Sequence, residues 1–362
     1  MTLSVRLTIE SVRARAIDLP LERPVETASG VMVTTPLVLI DVRTREGVVG
    51  RSYVRCYTPL ALGPLAALIS NVGAALAGSS GAPGAAYQRM RRMFRLAGPQ
   101  GLTGMAMAGI DMALWDALAV AAGLPLVTLL GGEPGPVAAY ASLRVMDARA
   151  AAAEAEELLA LGFTAFKVKV GGRPLAGDLA AIRGLRAVIG PDACLMVDYN
   201  QSLTVSEAIE RAGVLDHEGL YWIEEPTTAE DFAGHARIAT AAATPVQLGE
   251  NWWGPGDLAK SIAARASDHV MLDAMKIGGV TGWLRAMAVA DAASLPVSSH
   301  TFPEFSSHLL AVTPGAAYLE YLDHARPVLA EPVRVQGGQV LVSGRPGSGI
   351  EWDETAIRRL TD

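Results

Sequence analysis

The chain has 362 residues, 51% of them hydrophobic and 19% charged, with a net charge of −7. That composition excludes a disordered chain, and the length allows one large barrel plus a smaller domain. The acidic balance gives no electrostatic case for nucleic acid or an anionic membrane as partner.

Residues 2–24 alternate charged with apolar side chains and resemble no signal peptide, so a cytoplasmic protein is expected. Strand-like runs cover residues 5–17, 37–43 and 48–57, with Arg45-Glu46-Gly47 as a hairpin turn between the last two. Residues 22–35 read as a polar loop, and helical patterns follow at 60–77, 84–96 and 101–122. The apolar stretch 101–130 contains Asp111, Asp116, Gly123 and Pro125, which favours a buried helix over a membrane span. Cys56 and Cys194 match no metal spacing and read as reduced thiols. Residues 1–132 thus form an α+β domain, ended by the linker signal Gly131-Gly132-Glu133-Pro134-Gly135-Pro136.

Residues 133–325 repeat strand, loop and helix. Strands are expected at 137–142, 165–170, 194–198, 220–223, 246–248, 269–272, 297–299 and 317–320, with Ala-rich helices such as 148–161, 178–188 and 205–216 between them. This alternation predicts an α/β fold of parallel units, a TIM-type barrel with an atypical end, the alternative being a doubly wound sheet. Residues 326–362 read as short strands and a turn that return to the first domain.

Catalytic groups of such a barrel stand at the carboxyl ends of its strands. Lys169, Asp198, Glu224, Glu250, Asp273, His300 and Glu320 occupy those ends, at intervals of 29, 26, 26, 23, 27 and 20 residues. Each carboxylate alone reads as a helix cap or surface charge. Three on successive strands, Asp198, Glu224 and Glu250, would converge and repel, which a hard cation such as Mg²⁺ resolves better than zinc. Glu225 should face away and be structural, and His217, His235, His269, His308 and His324 read as packing or surface residues. His300 follows Asp273 by one unit, so the carboxylate can hold its Nδ1–H. Lysine occurs four times against 26 arginines, yet Lys167 and Lys169 share one face of an apolar strand. Two adjacent ammonium groups depress each other, which marks Lys169 as a base. The second and seventh strands face each other across a barrel mouth, so Lys169 and His300 would flank a ligand.

These residues carry a resemblance. Residues 109–118 (GIDMALWDAL), Lys167-Val168-Lys169, residues 196–203 (MVDYNQSL), 222–227 (WIEEPT), Gly249-Glu250-Asn251-Trp252, 273–283 (DAMKIGGVTGW), Ser298-Ser299-His300 and Leu319-Glu320 resemble the mandelate racemase branch of the enolase superfamily, essentially end to end. The resemblance implies a modified (β/α)7β barrel under a capping domain with mobile loops, assembled as an octamer or smaller homo-oligomer. It implies Mg²⁺, with Mn²⁺ as a substitute, on Asp198, Glu224 and Glu250, and a small carboxylic acid as substrate. Lys169 and the His300–Asp273 pair would each remove an α-proton from one enantiomer of a 2-hydroxy acid through a metal-stabilised enediolate. Lys167 would touch the substrate carboxylate, Glu320 would donate a hydrogen bond to the enediolate, and Ser142 and Asn200 would contact substrate. Val25, Tyr57 and Leu322 fit the distal pocket, whereas Ser29, Met32 and Arg55 stand where apolar residues are expected. Arg55 suggests a polar or anionic distal group, against the alternative of a solvent-facing loop arginine. An acid-sugar dehydratase is the rival within the same chemistry. A lactonising enzyme with Lys276 as second base, and a non-catalytic binding protein, are the others.

Overall fold

The computed structural model describes residues 6–361, so Val5 of the first expected strand lies outside them. The capping domain is an antiparallel meander of β1 (Ile9–Thr27), β2 (Gly30–Thr44) and β3 (Val49–Arg55), followed by α1 (Pro59–Leu76), α2 (Pro83–Met93), α3 (Leu102–Ala122) and α4 (Leu126–Leu129). β2 is the central strand, and its Leu37, Val38, Leu39 and Ile40 are all buried. α3 is a core helix lying directly on this sheet. Only a glycine permits that approach at Gly50, where a Cβ would stand 2.0 Å from the Ala113 carbonyl oxygen.

The expected loop at 22–35 is instead the far end of the β1–β2 hairpin. Val25 pairs with Met32, Glu26 with Val31 and Thr27 with Gly30. Its polar residues concealed it, and the ladder is interrupted: neither Pro20 nor Pro24 can donate to it, and the register slips between Pro20 and Val25. The Thr27 hydroxyl closes the turn, donating to Gly30 O (3.1 Å) and accepting from Ser29 N (3.1 Å). Below the turn the hairpin is fastened to the barrel. Glu26 N donates to Arg144 O (2.7 Å), and Met146 N donates to the Glu26 carboxylate (2.8 Å).

The barrel strands are β4 (Pro136–Ser142), β5 (Ala165–Lys169), β6 (Cys194–Asp198), β7 (Ile223–Glu224), β8 (Val246–Leu248), β9 (His269–Asp273), β10 (Val297–His300) and β11 (Ala316–Tyr321). Neighbours pair in chain order and in parallel, and β11 closes on β4, which rules out the open doubly wound sheet. Between them run α5 (Ala148–Ala160), α6 (Leu175–Ile189), α7 (Val205–Leu215), α8 (Phe232–Ala241), α9 (Pro255–Ala264), α10 (Gly279–Ala292) and α11 (Pro303–Leu310), giving a (β/α)7β barrel. Local signals start several helices. Asp147 caps α5, and Thr204 with Glu207 forms a reciprocal capping box on α7. In-register pairing sets neighbouring polar ends side by side in two groups: Lys169 opposite Asp198 and Asp198 opposite Glu224, and Asp273 opposite His300.

Two aspartates of α3 tie the parts together. Asp111 accepts the backbone N–H (2.9 Å) and hydroxyl (2.6 Å) of Thr281 in the first turn of α10. Asp116 accepts Arg51 N (2.8 Å) and Ser348 N (2.6 Å). Burial pushes the two carboxyls up to about 7 and about 6, against these donors. In the tail, β12 (Arg334–Gln336) and β13 (Gln339–Leu341) form a hairpin that adds antiparallel to β4. The last stretch returns to the cap, where Trp352 Nε1 donates to Asp41 (2.8 Å), and ends in α12 (Glu354–Thr361).

Candidate active site

The strand ends and the capping hairpin enclose a cavity of about 590 Å³. Its barrel side carries Lys167, Lys169, Asp198, Asn200, Glu250, His300 and Glu320. Its cap side carries Val25, Ser29, Met32, Arg55 and Tyr57, with Leu322 contributed from beyond β11. The backbone turns sharply where the strands end: Asn200, Gln201, Glu225, Thr301 and Phe302 all have positive φ. Such strain persists where surrounding packing holds it, commonly at functional sites. Gly249 precedes Glu250 at φ +131°, and a Cβ there would lie 2.3 Å from Met271 O.

Ligand oxygens of Asp198, Glu224 and Glu250 lie within 4.8 Å of one another. Each carboxylate is oriented by a neighbour. Asn200 Nδ2 donates to Asp198 (2.9 Å), Trp222 Nε1 to Glu224 (3.1 Å) and Asn251 Nδ2 to Glu250 (3.2 Å). Burial pushes Glu224 up to about 8 despite Lys167, with Asp198 and Glu250 adding repulsion. Asp198 is raised as well, by burial against the pull of Lys167. Three crowded hard-oxygen donors, whose charge Lys167 and His300 only partly balance, fit Mg²⁺.

Lys167 is 1% exposed and pairs with Glu224 (2.6 Å), Glu320 (2.9 Å) and, more loosely, Asp198 (3.7 Å). Burial works against its charge, but Glu224 and Glu320 outweigh it and hold Lys167 firmly protonated. Lys169 moves the other way: burial and then the Lys167 charge bring its pKa below that of an ordinary lysine. That is the relation expected of two ammonium groups on one strand face. Lys169 Nζ donates to Leu143 O (3.1 Å) and Ser142 Oγ (3.3 Å). Ser142 therefore touches the lysine and does not itself line the cavity.

Asp273 is fully buried and meets His300 Nδ1 at 2.6 Å. Its other oxygen accepts the backbone N–H groups of Met275 and Lys276, both at 2.8 Å. His300 Nε2 faces the cavity, 3.4 Å from Glu250 and 3.7 Å from Glu320. Burial disfavours the imidazolium, but Glu250 and the Asp273 bond raise its pKa overall. β4 and β11 separate Lys169 from His300 one way round the barrel. The strands carrying all three clustered carboxylates lie between them the other way.

Glu320, which the resemblance implies as a hydrogen-bond donor to the enediolate, lines the cavity beside Lys167. Its carboxylate accepts Thr301 N (3.2 Å) and pairs with Lys167. Burial alone would raise its pKa, yet Lys167, His300 and Lys169 hold it well below the usual carboxylate range. Glu225 does not face away. β7 ends at Glu224, Glu225 turns at φ 37°, and its buried carboxylate accepts Asn251 Nδ2 at 2.7 Å. Alternation stops applying where the strand stops.

At the distal end, Arg55 is 4% exposed, which overturns the solvent-facing alternative. Its Nη1 donates to His324 Nε2 (3.2 Å), and its guanidinium lies 4.6 Å from the Tyr57 ring centroid. His324 was expected to be a packing or surface residue. It lines the cavity instead, with its pKa driven well below 6.5 by burial and by Arg55. Lys276 lines the cavity too, its ammonium 4.5 Å from the same Tyr57 centroid and donating to Asn251 Oδ1. His235 and His308 are buried packing histidines as expected, with burial lowering both.

Residues 150–356 match the family described as enolase C-terminal domain-like, and residues 10–131 match the mandelate racemase/muconate lactonizing enzyme N-terminal domain. An enolase from Bradyrhizobium, solved in complex with magnesium and mandelic acid, is 48% identical over 99% of both chains, with a TM-score of 0.94. The 3,6-anhydro-alpha-L-galactonate cycloisomerase of Streptomyces coelicolor is 32% identical over 97% of this chain and 99% of its own. The L-talarate/galactarate dehydratase of Salmonella typhimurium is 32% identical over 72% of this chain and 66% of its own.

Proposed function

The chain belongs to the mandelate racemase/muconate lactonizing enzyme family of the enolase superfamily, and from that premise we propose a Mg²⁺-dependent racemase or epimerase of a 2-hydroxy carboxylate. One observation carries this reading: the Lys169 amine and the Asp273-held His300 imidazole line one cavity from separate strands, on either side of the acidic triad. The magnesium of the Bradyrhizobium relative supports Mg²⁺ as the cation. Held by Asp198, Glu224 and Glu250, Mg²⁺ would supply the Lewis acid that makes the α-proton of a carboxylic acid removable.

The protein's own groups move the proton. Lys169, its amine freed by burial and by Lys167, accepts the α-proton at Nζ. Lys167 keeps its charge and holds the substrate carboxylate. His300, biased toward the imidazolium, delivers a proton from Nε2 to the other face of the α-carbon, while Asp273 fixes Nδ1. For the opposite enantiomer the two bases exchange roles.

A second reading has its own support. A buried Arg55 suits a polyhydroxy acid, and the Salmonella relative is a dehydratase. In that reaction Lys169 takes the α-proton and His300 protonates a departing β-hydroxyl. The test is incubation with Mg²⁺ in D₂O against a library of 2-hydroxy and sugar acids, read by mass spectrometry. Deuterium gain without loss of water supports the racemase, and loss of water selects the dehydratase. The absence of both Mg²⁺-dependent exchange and loss of water, with every acid, overturns the two readings and leaves a binding protein.

A further inference from the structure

Two cations of the cavity are accounted for by the chemistry above; Arg55 is not. Among the described residues no carboxylate lies within ion-pair distance of it, unlike Lys167 with its three. Its partners are one neutral imidazole nitrogen, His324 Nε2, and one thioether, Met32 Sδ at 3.2 Å. Nε has no partner at all. The side-on edge of the guanidinium, Nε with Nη2, is thus held only by a sulfur, a weak acceptor. That edge is the planar two-donor fork that matches the two oxygens of a carboxylate. Stacking on Tyr57 offsets only part of the cost of an unpaired buried charge. Lys276, on the same ring, adds a second positive charge and donates to the Asn251 side-chain amide oxygen, with no carboxylate within ion-pair distance among the described residues. The Tyr57 hydroxyl is buried and also without a partner.

We propose that the cavity takes 2-hydroxy acids bearing a second carboxylate, with Arg55 as bidentate partner of that distal group and Lys276 lending charge beside it. The proposal rests on the reading that the reacting carboxylate lies at the Lys167 end. It makes Arg55 a specificity-determining residue: the phenyl group of mandelate offers nothing to the fork, whereas a distal carboxylate satisfies Nε and Nη2 together.

The test uses the Mg²⁺-loaded full-length protein and isothermal titration calorimetry. The probes are 2-hydroxydicarboxylates of graded length, each paired with the 2-hydroxymonocarboxylate of the same carbon number. For at least one length the diacid should bind ten-fold or more tighter than its partner. That ratio should collapse toward one in Arg55→Met and return in part in Arg55→Lys, with circular dichroism establishing that both variants are folded. A ratio near one at every length in the wild type, an unchanged ratio in Arg55→Met, or tighter binding of phosphate-terminated analogues than of any diacid would each overturn it. Binding is measured apart from turnover. Exchange in D₂O with no diacid preference therefore sinks this proposal alone, and diacid preference without exchange on any acid sinks the catalytic reading alone.

Discussion

Asp273→Asn tests the dyad more sharply than removing His300. Asp273 Oδ1 accepts two backbone N–H groups at 2.8 Å, from Met275 and Lys276, so an asparagine must keep its carbonyl oxygen there. Its NH₂ is then forced onto His300 Nδ1, 2.6 Å from the present Oδ2. A donor facing Nδ1 selects the tautomer with hydrogen on Nε2, the atom that faces the cavity. The imidazole stays in place but offers no lone pair to an α-proton. Trapping a catalytic histidine in the wrong tautomer costs about 10⁴-fold, ~5.5 kcal/mol of barrier. Each enantiomer of an acid that exchanges with the wild type would be followed by proton NMR in D₂O. Exchange on the His300 face should fall by about that factor, while exchange through Lys169 continues. A loss below tenfold on the His300 face refutes the argument. So does an equal loss on both faces with Mg²⁺ still bound, because the two bases would then act as one unit.

The stereochemical split has a companion pair: Lys169→Arg should abolish exchange from one enantiomer, and His300→Asn exchange from the other, in the same NMR assay. Gly249→Ala forces a Cβ to 2.3 Å from Met271 O at φ +131°, a strain of about 1–3 kcal/mol. It should lower Tm and, by displacing Glu250, shrink the rise in Tm on Mg²⁺ titration; an unchanged titration would show that Glu250 does not depend on that turn. Burial pushes Glu304 up to about 7, while its carboxylate accepts the Tyr53 hydroxyl at 2.6 Å. A carboxyl whose pKa is raised by folding binds its proton more tightly in the folded chain. Wild-type stability should therefore fall by up to roughly 3 kcal/mol as pH rises from 4.5 to about 7. Glu304→Gln should flatten that part of the slope in urea titrations, and an identical slope in the variant would put the ionised form in the native state.

The barrel and its acidic ladder were legible because each polar residue ends a strand, and parallel pairing repeats that position once per unit. Lys169, Asp198 and Glu224 are register partners for this reason, and so are Asp273 and His300. What lay past a strand end was not legible. His324 reaches the cavity only through the turn after β11, whose path no periodicity encodes, whereas Lys276, in the turn after β9, was already a candidate through the resemblance. Glu225 was misread because the period-two rule was carried one residue beyond β7. The stretch 22–35 was misread because its polar residues mimic a loop, while the ladder resumes after the register slip between Pro20 and Val25. Arg55 was ambiguous because burial depends on what folds over it, and Met32 and His324 come from distant parts of the chain.

The two bonds at Glu26 fasten the stalk of the first hairpin to the barrel, and the tip beyond them carries Ser29 and Met32 onto the cavity. The stalk is bound to the rim beside Arg144 and Met146, so the residues that reach the cavity from this hairpin, Val25, Ser29 and Met32, sit at or next to its fastened end. On the proposed reading, proton transfer belongs to groups seated on a closed ring of strands, and ligand choice to a short appendage and its neighbour β3. Exchanging the appendage would alter which acids enter and leave the acid–base pair undisturbed, so new substrates can be sampled without rebuilding the reaction.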